Sequence, residues 1–206
     1  MVTLRLFRPD DLSAIYAISL ATGDAGKDAA RLYDDPRVIG NIYAAPYALL
    51  RPDLMLVAAD DIGVAGYVTG ALDTRAWEAL LERDWWPWLR RQYADPGSAS
   101  PGGWTADQQR AFTIHHPWPT PAALVEAYPA HLHMNLLERV QRRGIGSSLL
   151  RAWFDLPACQ GVRAAHVGVN RGNEGGLAFW RSQAFEPLAV EGLTPGRTVW
   201  MGRVQP

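Results

Sequence analysis

Apolar positions set the frame of this chain. Leu12, Ile15, Tyr16 and Leu20 recur at helical spacing and predict a helix over 12–20. Pro9-Asp10-Asp11 caps that helix and ends a short strand at Thr3 to Arg8. A second helical region is expected from Asp28 to about Leu50, broken by Pro36 and Pro46. Leu54 to Ala59 and Val64 to Leu72 read as strands joined by the turn Asp60-Asp61-Ile62-Gly63, hence a hairpin. Ala76 to Tyr93 is helical and aromatic, with Leu80, Leu81, Trp85, Trp88 and Leu89 near one face. Residues 94–123 are rich in Pro, Gly and Ser and break the pattern, as an insertion or lid would. A strand at 131–137, a helix at 146–156 stopped by Pro157 and a strand from Val162 to Val169 follow. Asn173 then caps a helix running to about Ser182, and Phe185 to Val190 and Thr198 to Val204 close the chain as strands. No internal repeat is visible.

Within the 131–137 strand, alternation places His131, His133 and Asn135 on one face and Leu132, Met134 and Leu136 on the other. An apolar core face would leave the histidines toward an open cleft. Next comes Gln141-Arg142-Arg143-Gly144-Ile145-Gly146, with Ser147 opening the helix. A strand that runs through a Gly-rich turn into a helix presents free backbone N–H groups at a positive helix end, which is a phosphate-binding geometry. Gly144 and Gly146 would let the backbone approach an anion, and Arg142 and Arg143 add charge. A P-loop is excluded because no Lys follows Gly146. A dinucleotide loop is disfavoured because Leu149 and Leu150 stand where its third glycine would be. The plain alternative is a tight turn that only starts a helix.

The 206 residues suit a single domain spanning 1–206, with a Trp-rich insertion at about 74–127. A net charge of −1 gives no electrostatic case for nucleic acid or an anionic membrane. No apolar run is long enough to span a bilayer and the N-terminus lacks a signal-peptide core, so the cytoplasm is the expected compartment. Cys159 is the only cysteine, which rules out an internal disulfide and thiol-rich metal sites. Two histidines at i, i+2 with no third ligand nearby match a metal site poorly, so no metal is expected. Lys27 is the only lysine beside many arginines, a bias that suggests a GC-rich coding genome rather than a function.

The hexamer fits the Q/R-x-x-G-x-G/A signature of the GNAT acyltransferases, and the resemblance rests mainly on residues 131–185. Arg8-Pro9-x-Asp11 is similar to the family's opening. His131-Leu132-His133 before the turn resembles two branches, the arylalkylamine N-acetyltransferases and the bacterial relatives of the acetyltransferase-like C-terminal domain of O-GlcNAc hydrolase. The second is nearer, because Tyr128-Pro129-x-His131-Leu132-His133 and the Trp-rich insert resemble it. That branch carries the warning that the fold can persist without catalysis. The resemblance implies an α/β (α+β) GNAT fold: a mixed, mostly antiparallel sheet with helices on both faces and splayed central strands holding CoA. It also implies acetyl-CoA as co-substrate, its pyrophosphate wrapped by the Gly turn. Backbone groups of Asn135, Leu136 and Leu137 would polarise the acetyl carbonyl and pair with pantetheine. Asn173 to Phe185 resembles the family's N-x-x-A-x-x-x-Y-x-x-x-G-F helix with two departures: Trp180 replaces the Tyr general acid, and Ala184 replaces the Gly. An indole N–H does not donate a proton usefully at neutral pH.

Amide formation needs a neutral amine, so His131 or His133, with an ordinary pKa near 6.5, suits a base acting directly or through water. His131 is favoured because it lies further from the phosphate loop. The same rings would equally serve to bind an anion on the substrate, or form a buried structural pair. Asn170 and Asn173 would hold the pantetheine arm or simply cap a turn and a helix. Trp85, Trp86, Trp88, Trp104 and Trp118 would make a substrate wall, a homodimer contact or helix packing. Tyr128 is a candidate replacement acid, and His115-His116 reads as a loop pair. The reading is an N-acetyltransferase passing acetyl directly to a small-molecule or peptide amine. The alternative is a catalytically silent acyl-CoA-binding or interaction module.

Overall fold

The computed structural model describes residues 1–97, 101–189 and 196–204. Among these, one sheet holds β1 (Thr3–Leu6), β2 (Leu56–Ala59), β3 (Val64–Ala71), β4 (Ala130–Leu136), β5 (Ala164–Asn170), β6 (Glu186–Pro187) and β7 (Thr198–Val204). Their order is β1-β2-β3-β4-β5-β7-β6, and every pairing is antiparallel except β4 with β5. The helices are α1 (Leu12–Ala21), α2 (Val38–Tyr43), α3 (Ala45–Leu50), α4 (Thr74–Asp84), α5 (Trp86–Arg90), α6 (Ala106–His115), α7 (Ala122–Ala127), α8 (Ile145–Phe154) and α9 (Glu174–Ser182).

Alternation along the strands divides the core between two faces. Leu56, Ala58, Val68 and Leu132 pack with Leu149, Leu150 and Trp153 of α8. Val57 and Tyr67 pack with Ile15 and Ile18 of α1 and with Ala48 of α3. A mixed, mostly antiparallel sheet with helices on both faces is therefore the observed architecture. One consequence corrects the expectation for β4. Its histidine face is not left open but covered by the α1–α3 layer, because both faces of a central strand lie under helices. No helix among the described residues is long and apolar enough to cross a membrane.

The chain from α4 to α7 is more helical than its composition suggests. Asp73 caps α4 by accepting the Ala76 N–H at 2.9 Å. The single helix expected over 76–93 is broken at Trp85 because Pro87 cannot donate to the helical ladder. Residues 94–123, read as an irregular lid, contain all of α6 and the start of α7. A capping box of Thr105 and Gln108 starts α6, which packs on α5 and α2. The expected Phe185–Val190 strand shrinks to β6, and Val190 lies outside the described residues. No helix forms over 28–37.

Candidate active site

The ladder between β4 and β5 covers only Ala130↔Ala165 and His131↔His166, although β4 continues to Leu136 and β5 to Asn170. Each strand stays paired on its outer side, β4 with β3 and β5 with β7. The two strands thus part in mid-sheet, and the inner backbone edge of β4 beyond His131 has no ladder partner. A cavity of about 1010 Å³ opens there. Met134, Asn135 and Leu136 line it from β4; Gln141, Arg142, Gly144, Gly146 and Ser147 line it from the turn into α8. The opposite wall is Asn173, Glu174, Phe179 and Trp180, and Thr22 and Ala25 to Lys27 close one side from the loop after α1.

The turn has the geometry that anions favour. Arg142 has φ +56° and Gly144 φ +75°, and Gly144 is the residue just before α8. Positive-φ residues among ordinary ones turn successive N–H groups toward one point, and the first-turn N–H groups of Ile145, Gly146 and Ser147 have no intrahelical acceptor. Gln141 Nε2 donates to Leu136 O at 2.7 Å, tying the turn to the end of β4. The two glycines have different reasons. Gly144 serves its left-handed conformation, and a Cβ there would meet nothing within 4 Å. Gly146 serves packing rather than anion approach: a Cβ would lie 2.9 Å from Phe179 Cε2 and 3.2 Å from Leu136 Cδ1. Arg143 does not line the cavity; its Nη1 donates to Arg139 O at 3.2 Å. Ile145 packs into the core. Leu137 lines an adjoining cavity, and its N–H is already engaged by Ala65 O at 2.8 Å.

Asn135 reaches the cavity with both polar atoms of its side chain hydrogen-bonded. Tyr67 donates to its Oδ1 at 3.1 Å, and its Nδ2 donates to Thr22 Oγ1 at 2.5 Å. Asn170 does not line the cavity and accepts the Gly172 N–H at 2.9 Å, so the turn-forming alternative describes it. Asn173 lines the cavity and also caps α9 through Gly176 N–H at 2.8 Å. Trp180 is buried, with its ring edge-on to Phe185 at 4.8 Å and to Phe179 at 5.2 Å.

The two histidines separate in role. Thr74 Oγ1 donates its only proton to Pro129 O at 2.7 Å, so in its 2.8 Å contact with His131 Nδ1 it accepts. Nδ1 therefore carries the ring proton, and Nε2 accepts from Tyr47 Oη at 2.6 Å. His131 is buried with both nitrogens used, and burial, reinforced by His133 and His166, holds its pKa well below the usual value. His133 is half-buried and makes no hydrogen bond among the described residues. It faces the Tyr47 ring at 5.3 Å and the Tyr43 ring at 6.4 Å. Burial, then the nearby His166, lowers its pKa to about 4. Neither ring lines the cavity, and neither titrates near 6.5 as the sequence led one to expect. The preference for His131 reverses on geometry, since only His133 has nitrogens to offer.

Trp77, Trp85 and Trp86 are core residues, with Trp85 Nε1 donating to Asn41 O at 2.8 Å, so packing is their role. Trp88 and Trp118 are exposed. Tyr128 lies against Gly202 of β7, away from the cavity lining, which removes it as the replacement acid. Cys159 is buried and its thiol is pushed up to about 12 by burial. His115 is the last residue of α6 rather than part of a loop and contacts Tyr93 O at 2.7 Å, while His116, just after the helix, contacts Asp95 Oδ2 at 2.9 Å. Sequence reading missed the loop after α1, where Ala25 (φ +51°) and Gly26 (φ +89°) carry Lys27 to the cavity rim. Its one signal was that Lys27 is the sole lysine.

No family model matches the chain. The PaiA N-acetyltransferase of Thermoplasma acidophilum, solved with coenzyme A, shares the fold with a TM-score of 0.54 and 14% identity, covering 100% of this chain and 99% of that one. The crystal structure of SsHAT is much nearer, with a TM-score of 0.86 and 33% identity over 98% of each chain. The chain belongs to the GNAT acetyltransferase superfamily. Protein O-GlcNAcase of Rattus norvegicus is 22% identical over 204 residues, which is 98% of this chain. The chain spans about a fifth of the length of the curated relatives it matches, 22% of the rat protein.

Proposed function

We propose that this protein is an acetyl-CoA-dependent N-acetyltransferase that passes the acetyl group directly to an amine. The observation that carries the reading is the cavity lined by the end of β4 and by α9, where β4 and β5 have parted, together with Arg142, Gly146 and Ser147 at the start of α8. The residues fit the co-substrate. The turn supplies a cationic, donor-rich cradle for a pyrophosphate, and the unpaired edge of β4 supplies backbone groups for the amides of a pantetheine arm. Acetyl-CoA held there supplies an activated acetyl thioester. The N–H groups of residues 145–147 and the Arg142 side chain bind and orient it, and the backbone of Met134, Asn135 and Leu136 lies where a carbonyl oxygen gaining charge is stabilised. Phe179 and Trp180 give that wall aromatic surface.

The acceptor amine must lose a proton as it attacks. In this reading His133, uncharged at neutral pH and without a hydrogen-bond partner among the described residues, accepts it through water. His131 positions Tyr47, whose ring lies beside His133, through the Thr74–His131–Tyr47 chain. Metal chemistry is not part of this reading.

One observation favours a second reading, a silent acyl-CoA-binding module: no imidazole or phenol lines the cavity. Two measurements decide. Acetyl-CoA should stabilise the protein by roughly 3–4 kcal/mol at 100- to 1,000-fold excess over Kd. No thermal shift with any acyl-CoA at millimolar concentration refutes both readings. A shift without turnover across a broad amine panel leaves the silent module.

A further inference from the structure

Away from the cleft, unused hydrogen-bonding capacity gathers where the inserted helices meet α2. Arg110 of α6 is half-buried; its Nε donates to Tyr33 Oη and its Nη1 to Tyr43 Oη, each at 3.0 Å. The guanidinium also lies 5.6 Å from the centre of the Tyr43 ring and 6.0 Å from that of Tyr33. No described carboxylate pairs with it. Asp107, one turn earlier on α6, accepts the N–H groups of Asp34 at 2.9 Å and Asp35 at 3.2 Å, and the Asp35 carboxylate takes the Tyr93 hydroxyl. A guanidinium has five N–H donors, and Arg110 uses two. Each tyrosine accepts from Arg110, so its own O–H remains to donate, and neither finds an acceptor among the described residues. Donors from three side chains and one uncompensated charge thus converge without an acceptor, although charges withdrawn from water are ordinarily paired.

We propose that Arg110, Tyr33 and Tyr43 form a binding site for a carboxylate, and that this carboxylate belongs to the amine acceptor. A single cation matches a monoanion, and the planar guanidinium fork matches a carboxylate in shape. The two phenolic hydroxyls supply the remaining donors. The location fits an acceptor. The Tyr43 ring lies 5.6 Å from the guanidinium and 6.4 Å from the His133 ring, so those two are at most about 12 Å apart. His133 in turn precedes Asn135, which lines the cleft, by two positions on the same strand face, roughly 7 Å away. The ligand class is therefore a primary amine separated from an acid by a chain of several atoms, such as an ω-amino acid or a dipeptide. The acceptor assignment rests on the acetyl-transfer reading; the carboxylate site does not.

The test uses calorimetric titration in the presence of CoA, with γ-aminobutyrate, 5-aminovalerate, lysine and β-alanyl-alanine, each beside its carboxamide. In the wild type at least one acid should bind tenfold or more tightly than its amide. Arg110→Gln should bring that ratio close to one. The double variant Tyr33→Phe/Tyr43→Phe keeps the charge, should lose part of the preference, and decides the matter if Arg110→Gln does not fold. Absence of any carboxylate preference in the wild type, or a preference that survives in the variants, overturns the site. A preference that vanishes in the variants, with none of these amines acetylated by the wild type, upholds the carboxylate site and overturns its assignment to the acceptor.

Discussion

The lowered pKa of His133 makes the stability of this protein depend on pH in a window that opens above the carboxylate range. In the unfolded chain the imidazole titrates near 6.5, and in the folded protein near 4. Between those values the unfolded state binds a proton that the folded state does not, so stability rises with pH and is lost as pH falls from about 6.5 toward 4. The gap is worth roughly 3 kcal/mol in full, with a slope of about 1.4 kcal/mol per pH unit from this one residue. His131 and His166 are lowered in the same direction by burial and steepen the slope. Asp11 and Asp53 are also lowered, by their ion pairs with Arg5 and Arg51. Their contribution is present above the unfolded carboxylate value of 3.8 and is lost as pH falls through it toward the lowered folded values, so it scarcely enters the range from pH 7 to 5. The assay is urea unfolding at pH 7, 6, 5.5 and 5 for wild type and His133→Gln. The variant should be flatter by about one proton, near 1.4 kcal/mol per pH unit. Equal slopes would refute the reasoning, since they would mean that the ring is solvated and titrates normally in the folded state. On the acetyl-transfer reading, the same physics predicts that protonation of His133 does not itself lower activity as pH passes 6.5.

Five further outcomes are expected. Gly144→Ala forces an alanine into φ +75° and should cost roughly 1–2 kcal/mol of stability while weakening acetyl-CoA binding. Gly146→Ala should act mainly on the fold, about 1–3 kcal/mol through crowding of Phe179 at 2.9 Å, so paired melting and binding curves separate the two; identical profiles would count against distinct roles. Ala184 has φ +62° just past α9, so Ala184→Gly should raise the melting temperature by a few degrees, and a fall would show that the methyl packs usefully. Thr69 Oγ1 is buried without a partner among the described residues, so Thr69→Val should be neutral or stabilising by about 1 kcal/mol; a marked loss would reveal a hydrogen bond to that hydroxyl. Trp180→Tyr should lower the melting temperature through lost packing against Phe179 and Phe185, and an unchanged value would exclude the indole from the core.

Much of the site was legible because it is written locally. A strand, a turn with two glycines and a helix occupy contiguous residues 130–154, and the left-handed Gly144 and free helix N–H groups follow from short-range geometry alone. The hairpin of β2 and β3 and the extent of β7 were legible for the same reason, each being a short apolar run bounded by turn residues. Helix α6 was not, because its sequence has little apolar periodicity and its helix forms against α5 and α2, residues distant in the chain. The fate of the histidines was also beyond the sequence. Period-two alternation put His131, His133 and Asn135 on one face, but only packing decided that α1–α3 would cover it. Whether a ring is a base or a strut then depended on partners such as Tyr47, 84 residues away. The same holds for Gly146, whose need for hydrogen in place of a side chain comes from Phe179 on another helix. Backbone conformation is set within a few residues and can be read along the chain. Burial, proton affinity and the convergence of Arg110 with Tyr33 and Tyr43 are sums over neighbours that only the folded chain brings together.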